Sequence, residues 1–459
     1  MIETQLEYVR HDLTELCNMF GDAESFNIKH LFSEKPDRVV NTIVINGKAF
    51  AYGNLLPKIK DDTDKKRLYK RYAKLSLYKA LSRFLGKVLP WGALTGVRPT
   101  KLAYQQLEKD GEFENFFLDV MKVSVDKTNL IKDVLKTQKG IYSLDQNNTD
   151  LFVFVPFCPT RCKYCSFITA DVKSAKKYVD EYVDALVYEI ENSKYFIKNL
   201  RSIYVGGGTP VSLSDENLKK ILIAIDKINN GVEYTVEAGR PDVITDTNLK
   251  MLKEFGVNRI CINPQTFNDK TLKLLGREHT ASQVKEKFNL AKNDFIINMD
   301  LIAGLPDESV EDFKYSLNSA LSLRPDNITV HTLSVKSGSY LAENTKRLPE
   351  GDVSEMVDYA RITLQENGYN PYYLYRQKYM AGNLENVGYS LKAKECIYNV
   401  DIMEETTDIV ACGAGAVSKK VDVVNQTIER VGAPKDVKTY VQKVQKILEQ
   451  KQELFCKPQ

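Results

Sequence analysis

From Asp150 onward the chain alternates short β-branched or aromatic runs with amphipathic stretches of helix length. The runs are Leu151 to Val155, Ser202 to Val205, Tyr234 to Glu237, Arg259 to Ile262, Ile296 to Ile302 and Asn327 to Leu333, with a helix-sized segment of alternating charge between neighbours in every case but the last pair. Six such runs predict a parallel sheet, doubly wound or closed as a barrel. In sheets of this kind chemistry gathers at the carboxyl ends of the strands. The unusual residues do follow the strands. Three cysteines come after the first, Gly206-Gly207-Gly208-Thr209-Pro210 after the second, Glu237 closes the third, Gln265 follows the fourth, and Asp300 lies near the end of the fifth.

The part before Leu144 reads differently. A strand-like start from Ile2 to Val9 leads to a possible helix and then to a hairpin, Thr42 to Ile45 and Lys48 to Tyr52, joined by Asn46-Gly47. Asn-Gly between apolar runs is a strong type I′ turn signal. A long basic helix is expected from Asp62 to Phe84, its Lys and Arg residues coating a solvated face. Further helices are expected between Thr100 and Gly140, with Ser124 as an N-cap. After Gly351 a helical stretch leads to Tyr372-Tyr373-Leu374-Tyr375, to the small-residue patch Gly413 to Ala416, and to a last helix, about Lys435 to Phe455.

Composition narrows the class. At 459 residues with 43% hydrophobic and 27% charged positions, the chain is long enough for two or three folded units and too mixed for disorder. A net charge of +3 leaves no general attraction to nucleic acid, so any basic site must be local. No run approaches the roughly 18 apolar residues of a membrane-spanning helix, and residues Met1 to Leu13 lack the layout of a secretory signal. A soluble cytoplasmic protein is expected, and a monomer.

Eight cysteines are present, three of them in Cys158-Pro-Thr-Arg-Cys162-Lys-Tyr-Cys165. Pro156 and Pro159 make this segment a loop, so its thiols wrap a centre instead of lining a helix face. Thiolates so placed suit an iron–sulfur cluster or zinc. Zinc needs a fourth ligand, and His11, His30, His279 and His331 are all distant in sequence. Cys17, Cys261, Cys396, Cys412 and Cys456 are read as buried or incidental thiols.

The Cys-x3-Cys-x2-Cys spacing, with Tyr164 before the last cysteine, resembles the radical S-adenosylmethionine superfamily. Glu237 in Val-Glu-Ala-Gly-Arg-Pro-Asp, Gln265 in Ile-Asn-Pro-Gln-Thr-Phe-Asn-Asp, Arg277 in Leu-Gly-Arg-Glu-His and Asp300 in Asn-Met-Asp-Leu-Ile-Ala-Gly-Leu-Pro look like the oxygen-independent coproporphyrinogen III oxidase (dehydrogenase) family. The likeness runs from Asp150 to about Lys419. The segments Trp91 to Thr100 and Tyr375 to Gly388 resemble its HemZ-type branch.

The resemblance implies an α/β fold: a partial (β/α)6 TIM-like radical SAM barrel over residues 149–385, an extra N-terminal α/β domain over 1–148, and a short helical C-terminal extension over 386–459 that completes the substrate side. It implies a [4Fe-4S] cluster on Cys158, Cys162 and Cys165, with one iron open to chelate S-adenosyl-L-methionine, one molecule or two. Gly207, Gly208 and Thr209 would meet the methionine amino group through backbone, Glu237 would bind that amino group, and Gln265, Arg277 and Asp300 would make further S-adenosylmethionine contacts. The implied reaction turns coproporphyrinogen III into protoporphyrinogen IX. A 5′-deoxyadenosyl radical removes a propionate β-hydrogen, carbon dioxide leaves, and flavodoxin or ferredoxin serves as electron donor. Arg161, Lys163, Arg240, Arg376 and Lys378 are candidate rim cations for the tetrapyrrole substrate. Phe167 stands where well-characterised members carry a further Cys and related haem-trafficking proteins carry Phe, which motivates two alternatives: a haem-binding chaperone on this fold, with His331 or His279 as ligand, or a radical enzyme acting on another tetrapyrrole.

Overall fold

The computed structural model describes residues 2–21, 25–59, 61–165, 170–334, 352–377 and 380–456. Two compact units share the chain: Met1–Lys132 with Arg376–Leu384, and Asp133–Tyr375 with Glu385–Gln459. Asp133 onward goes with the second unit, where the buried Gln138 amide donates to Tyr372 O and to the Glu404 carboxylate. The second unit therefore begins ahead of Asn148.

The first unit holds a four-stranded sheet, β1 (Ile2–Thr4), β2 (Ile28–Glu34), β3 (Arg38–Ile45) and β4 (Lys48–Leu55), in that order. The opening strand is shorter than its sequence suggests, because Leu6 N donates to Thr4 Oγ1 at 3.1 Å and the turn so formed stops the extension. The β3–β4 hairpin pairs Ile45 with Lys48 across Asn46 and Gly47, both at positive φ (48° and 86°), as a type I′ turn demands. Helices α1 (Arg10–Phe20), α2 (Asp62–Leu85) and α3 (Pro99–Asp110) follow in chain order, and α4 (Val125–Thr137) begins in this unit and ends in the second. The basic α2 starts where Asp61 caps Asp64 N and stops at left-handed Gly86. Ser124 caps α4, accepting from Lys127 N. Within this unit Arg376 is buried, its guanidinium 5.1 Å over the Trp91 ring and bonded to Leu94 O and Asn383 O, while its backbone N–H donates to Val97 O. Arg376 and residues Trp91 to Val97, from the two segments that resemble one family branch, thus meet within this unit.

The second unit is built on one eleven-stranded sheet. Its strands are β5 (Asn148–Val155), β6 (Asn199–Gly207), β7 (Glu233–Gly239), β8 (Arg259–Ile262), β9 (Ile296–Ala303), β10 (Asn327–Thr332), β11 (Asn370–Tyr375), β12 (Asn386–Ser390), β13 (Asp408–Cys412), β14 (Val417–Asp422) and β15 (Thr427–Gly432). The order is β11-β12-β10-β9-β8-β7-β6-β5-β13-β14-β15, so the sheet has two free ends and does not close through hydrogen bonds. All six expected strands are present and parallel. A seventh, β13, pairs in parallel with β5, so the C-terminal segment contributes strands as well as a helix. Antiparallel pairs finish both edges.

The helices are α5 (Val172–Ser193), α6 (Asp215–Asp226), α7 (Asp246–Glu254), α8 (Asp269–Leu274), α9 (Ala281–Ala291), α10 (Val310–Leu323), α11 (Val353–Glu366), α12 (Ile397–Glu404) and α13 (Val437–Cys456). Helix α10 fills the interval between β9 and β10 that the hydrophobic pattern left without one. Ser214, Thr245, Thr280 and Ser309 cap α6, α7, α9 and α10, the last three through capping boxes. No helix among the described residues is long and apolar enough to cross a membrane.

Polar side chains close the amino ends of the strands. Arg259 reaches Glu233, Asn327, Lys394 O and Glu395 O; Arg201 pairs with Asp401; Ser202 donates to Asp150. Helix α12 sends Tyr398 to stack on Phe152 and Tyr204. With the amino ends tied off, the carboxyl ends are left for chemistry.

A second polar knot ties α13 to the sheet. Lys451 Nζ lies 2.7 Å from Glu189 Oε1, both side chains essentially inaccessible, and Glu189 also accepts from Tyr440 and from Gly413 N. Removing one partner strands a buried charge, at a cost of about 3–5 kcal/mol. Lys451→Met should therefore lower the thermal midpoint steeply, and Glu189→Gln/Lys451→Met should recover part of the loss. A double variant no better than the single one would contradict this account.

Candidate functional site

Strand β5 ends at Val155, and the chain turns at Pro156 into the cysteine loop. Phe157 and Cys158 pair in parallel with Ala170 and Asp171. One side of the loop is stitched to the end of β6: Gly208 N donates to Val155 O and Thr209 N to Phe157 O, both at 2.7 Å. The glycines have different reasons for being there. Gly207 sits at φ 108°, which disfavours a side chain, whereas a Cβ on Gly208 would stand 2.3 Å from Phe157 O. Only bare backbone passes this close. Thr209 Oγ1 then lies 3.4 Å from Cys158 Sγ.

The turn after α8 grips the other side. Lys163 N donates to Leu275 O at 3.0 Å and Thr160 Oγ1 to Gly276 O at 3.3 Å. Arg240, ion-paired with Asp242 at 2.7 Å, donates to Thr160 Oγ1. Buried Arg277 donates to the Tyr164 hydroxyl at 2.9 Å and to Asn263 O at 2.7 Å, and its Nη1 is 3.8 Å from Cys162 Sγ.

None of the three cysteines is in a disulfide, and Cys162 is buried while its two neighbours are partly exposed. Burial pushes the Cys158 thiol up to about 11, the Thr209 hydroxyl opposes that, and the charges of Cys165 and Cys162 add to it. The three sulfurs therefore feel one another. Among the described residues no three of His, Cys, Asp and Glu stand close enough to form a closed metal-binding set. The donor chemistry nonetheless fits an iron–sulfur cluster: three soft sulfurs on one loop, with the Arg277 guanidinium in reach of one and the Thr209 hydroxyl beside another.

Two carboxylates lie toward the carboxyl ends of β7 and β9, with β8 between them. Glu237 on β7 accepts from Tyr204 Oη at 2.7 Å and from Gly207 N at 3.3 Å. Burial lifts its carboxyl to about 7. Asp300 on β9 accepts from Asn298 Nδ2 at 2.8 Å, and its other oxygen lies 3.7 Å from His331 Nε2. Burial would raise the Asp300 carboxyl, but His331, Asn298 and Thr329 together hold it below the ordinary range. Gln265 is buried at φ 68°, pinned in a left-handed conformation by Gln265 N→Asp300 O at 2.9 Å and Ile302 N→Gln265 O at 3.0 Å. Such strain in a residue other than glycine is tolerated where surrounding bonds fix it, and it gathers at functional sites.

Gly207, Gly208, Thr209, Glu237, Gln265 and Asp300 thus lie at or just past the carboxyl ends of β6 to β9, while Arg277 turns its head into the cysteine loop. The rim cations divide differently. Arg240 and Arg376 are buried in the internal contacts given above, so neither is available at a rim; Arg161 is exposed, Lys163 half-buried, and Lys378 lies outside the described residues, as does Phe167. His279 is buried, and burial lowers its imidazole to about 3. The sequence reading missed Tyr204, Thr160 and Asn263. Tyr204 was the most accessible of them, because strand alternation puts it on the same face as Gly206, beside Glu237.

A family model described as the Radical SAM superfamily matches residues 152–320. The chain is 37% identical over 391 residues, 81% of its length, to the oxygen-independent coproporphyrinogen-III oxidase-like protein HemZ of Bacillus subtilis, covering 78% of that protein. It is 35% identical over 234 residues to the heme chaperone HemW of the same organism, covering 48% of this chain and 61% of that one. Among solved structures, coproporphyrinogen III oxidase HemN from Escherichia coli is similar at a TM-score of 0.53 and 23% identity, covering 65% of this chain and 69% of that one. This last likeness concerns the fold.

Two outcomes test the geometry. Gly208→Ala forces a methyl group onto Phe157 O, an overpacking worth about 1–3 kcal/mol, and should lower the iron retained per chain after anaerobic reconstitution without changing far-UV circular dichroism. Unchanged iron would count against the stitching of loop to strand. Because Glu237 titrates near 7, the folded chain keeps a proton there that the unfolded chain loses in the ordinary glutamate range, so this group's contribution to stability falls as pH rises through that window. The melting temperature of Glu237→Gln relative to the unsubstituted protein should climb between about pH 5 and pH 8. A constant difference would mean that Glu237 is not buried in this way.

Proposed function

The chain belongs to the radical S-adenosylmethionine superfamily and, within it, to the oxygen-independent coproporphyrinogen-III oxidase-like proteins of HemZ type, and on that premise we propose that it converts coproporphyrinogen III to protoporphyrinogen IX without oxygen. The cofactors of the superfamily are a [4Fe-4S] cluster and S-adenosylmethionine. When bound, they supply an electron and a 5′-deoxyadenosyl radical able to remove hydrogen from an unactivated carbon. The observation that carries the reading is the cysteine loop, clamped between the β6 glycines and the Leu275–Arg277 turn at the carboxyl ends of parallel strands, with Glu237 and Asp300 beside it.

Each residue then has a task. Cys158, Cys162 and Cys165 hold the cluster, and Arg277 places positive charge against Cys162. The Gly206–Gly208 backbone offers close approach, Glu237 takes a cationic amino group, and Gln265 and Asp300 take hydroxyl or amino groups of the cofactor. Beneath these groups, Phe152, Tyr204, Tyr375, Ile402 and Met403 pack on the buried Tyr372, Tyr373 and Tyr398 cluster, an apolar aromatic interior that holds the strands carrying them. With those groups bound, the proposed change on each of two rings would be loss of one hydrogen atom, carbon dioxide and one electron from a propionate, which would leave a vinyl group. Flavodoxin or ferredoxin fits as donor.

A second reading, a haem chaperone on the same fold, is favoured by the likeness to HemW across about half the chain and by Phe167. One assay separates the two. The protein is purified and reconstituted without oxygen and given coproporphyrinogen III, S-adenosylmethionine and a reductant, while vinyl product and 5′-deoxyadenosine are followed. Product formation that Cys162→Ala abolishes is expected. Stable haem binding with no vinyl product would replace the enzymatic reading by the chaperone one.

A further inference from the structure

Asp300 is served by two chains of polar contacts, one for each oxygen, and both start on the edge strand β11. Tyr375 Oη lies 3.2 Å from His331 Nδ1, and His331 Nε2 lies 3.7 Å from Asp300 Oδ2. Two residues earlier on β11, Tyr373 Oη donates to Thr329 Oγ1 at 3.2 Å; Thr329 Oγ1 donates to Asn298 Oδ1 at 3.1 Å; Asn298 Nδ2 donates to Asp300 Oδ1 at 2.8 Å. With its carbonyl engaged by Thr329, Asn298 must present its NH2 group to the carboxylate.

Strand β12 lies between β11 and β10, so the tyrosines must reach across it. Residue 388 permits this. Gly388 is paired with Thr329 on one side and Tyr373 on the other, and a Cβ there would fall 1.8 Å from the Tyr373 ring. The ring lies over the bare backbone of β12 to reach β10. Alternation along β11 sets Tyr375 parallel to Tyr373, ring planes 5° apart. Gly388 has ordinary backbone angles, so close approach and not turn geometry is what requires glycine there.

We propose that Tyr373 and Tyr375, with Thr329, Asn298 and His331, form a cross-strand positioning device that fixes the Asp300 carboxylate for S-adenosylmethionine. This rests on the reading of Asp300 as a cofactor contact. Tyr375 and His331 act on one oxygen, Tyr373 on the other, and none of them is a catalytic residue. Losing the oriented donor to a charged group weakens binding by about tenfold.

The test measures S-adenosylmethionine cleavage to 5′-deoxyadenosine by the reconstituted 459-residue chain with dithionite as electron donor and without tetrapyrrole, with KM and kcat separated and iron content and melting temperature recorded. His331→Ala should raise KM for S-adenosylmethionine about tenfold while kcat moves far less, and His331→Gln, which retains an N–H donor, should restore most of the affinity. Gly388→Ala, which displaces Tyr373 without altering a polar group, should raise KM in the same direction, as should Tyr373→Phe and Tyr375→Phe. Asp300→Asn separates the layers. If it raises KM and the His331 and tyrosine variants do not, the positioning device is wrong and the reading of Asp300 stands. If Asp300→Asn leaves KM unchanged, both fall. Variants that lose iron and melting temperature together, with no separate change in KM, would reduce the two chains to packing and overturn the proposal.

Discussion

The site depends on one close approach between backbones. Where β6 ends, Gly208 passes so near the peptide of Phe157 that no side chain fits, and two 2.7 Å hydrogen bonds lock the passage. A loop carrying three thiols has no reason of its own to hold one shape, since its prolines remove donors and its cysteines prefer burial to order. Its shape is borrowed from the neighbouring strand on one side and from the Leu275–Arg277 turn on the other. Everything that faces the loop inherits its position from those two seams, including the Thr209 hydroxyl and the Arg277 guanidinium.

Burial then divides the labour among the carboxylates. Glu237 and Asp300 face the same interior from different strands, yet one is lifted to about 7 and the other held low. The difference lies in their partners: Glu237 has a tyrosine hydroxyl and one long backbone donor, whereas Asp300 has an imidazole and an amide, each backed by a further group. Two neighbouring buried acids with separated titration ranges are a mark of function more than of stability. The stabilising charges lie elsewhere, in the Lys451–Glu189 knot and in the Arg259 network that ties off the amino ends of the strands. This separation of binding face from stabilising face is what a parallel α/β sheet favours, because its strands all point the same way.

Much of the fold could be read from residue order. The β-branched and aromatic runs located six parallel strands, Asn46-Gly47 located a hairpin, and Ser124 marked where α4 begins. The antiparallel edges and β13 were harder to read. Strand β13 pairs with β5 from more than two hundred and fifty residues away in sequence, as Asp408 against Thr149 illustrates, and no local pattern specifies so distant a neighbour. Cations were also over-read: Arg240 and Arg376 resemble any loop arginine until their partners, Asp242 and Trp91, are seen beside them.

The sequence by itself determined the donors and their order along the sheet: three thiols after the first strand, glycines after the second, acids on the third and fifth. These are set by residue identity and by strand alternation, both local. Only the tertiary structure decided what each donor leans on. The aim of Arg277 at Cys162, the passage of Tyr373 over Gly388 and the double support of Asp300 arise where strands far apart in the chain come within hydrogen-bond reach, and register across a sheet is fixed by the packing of the whole and not by any one segment.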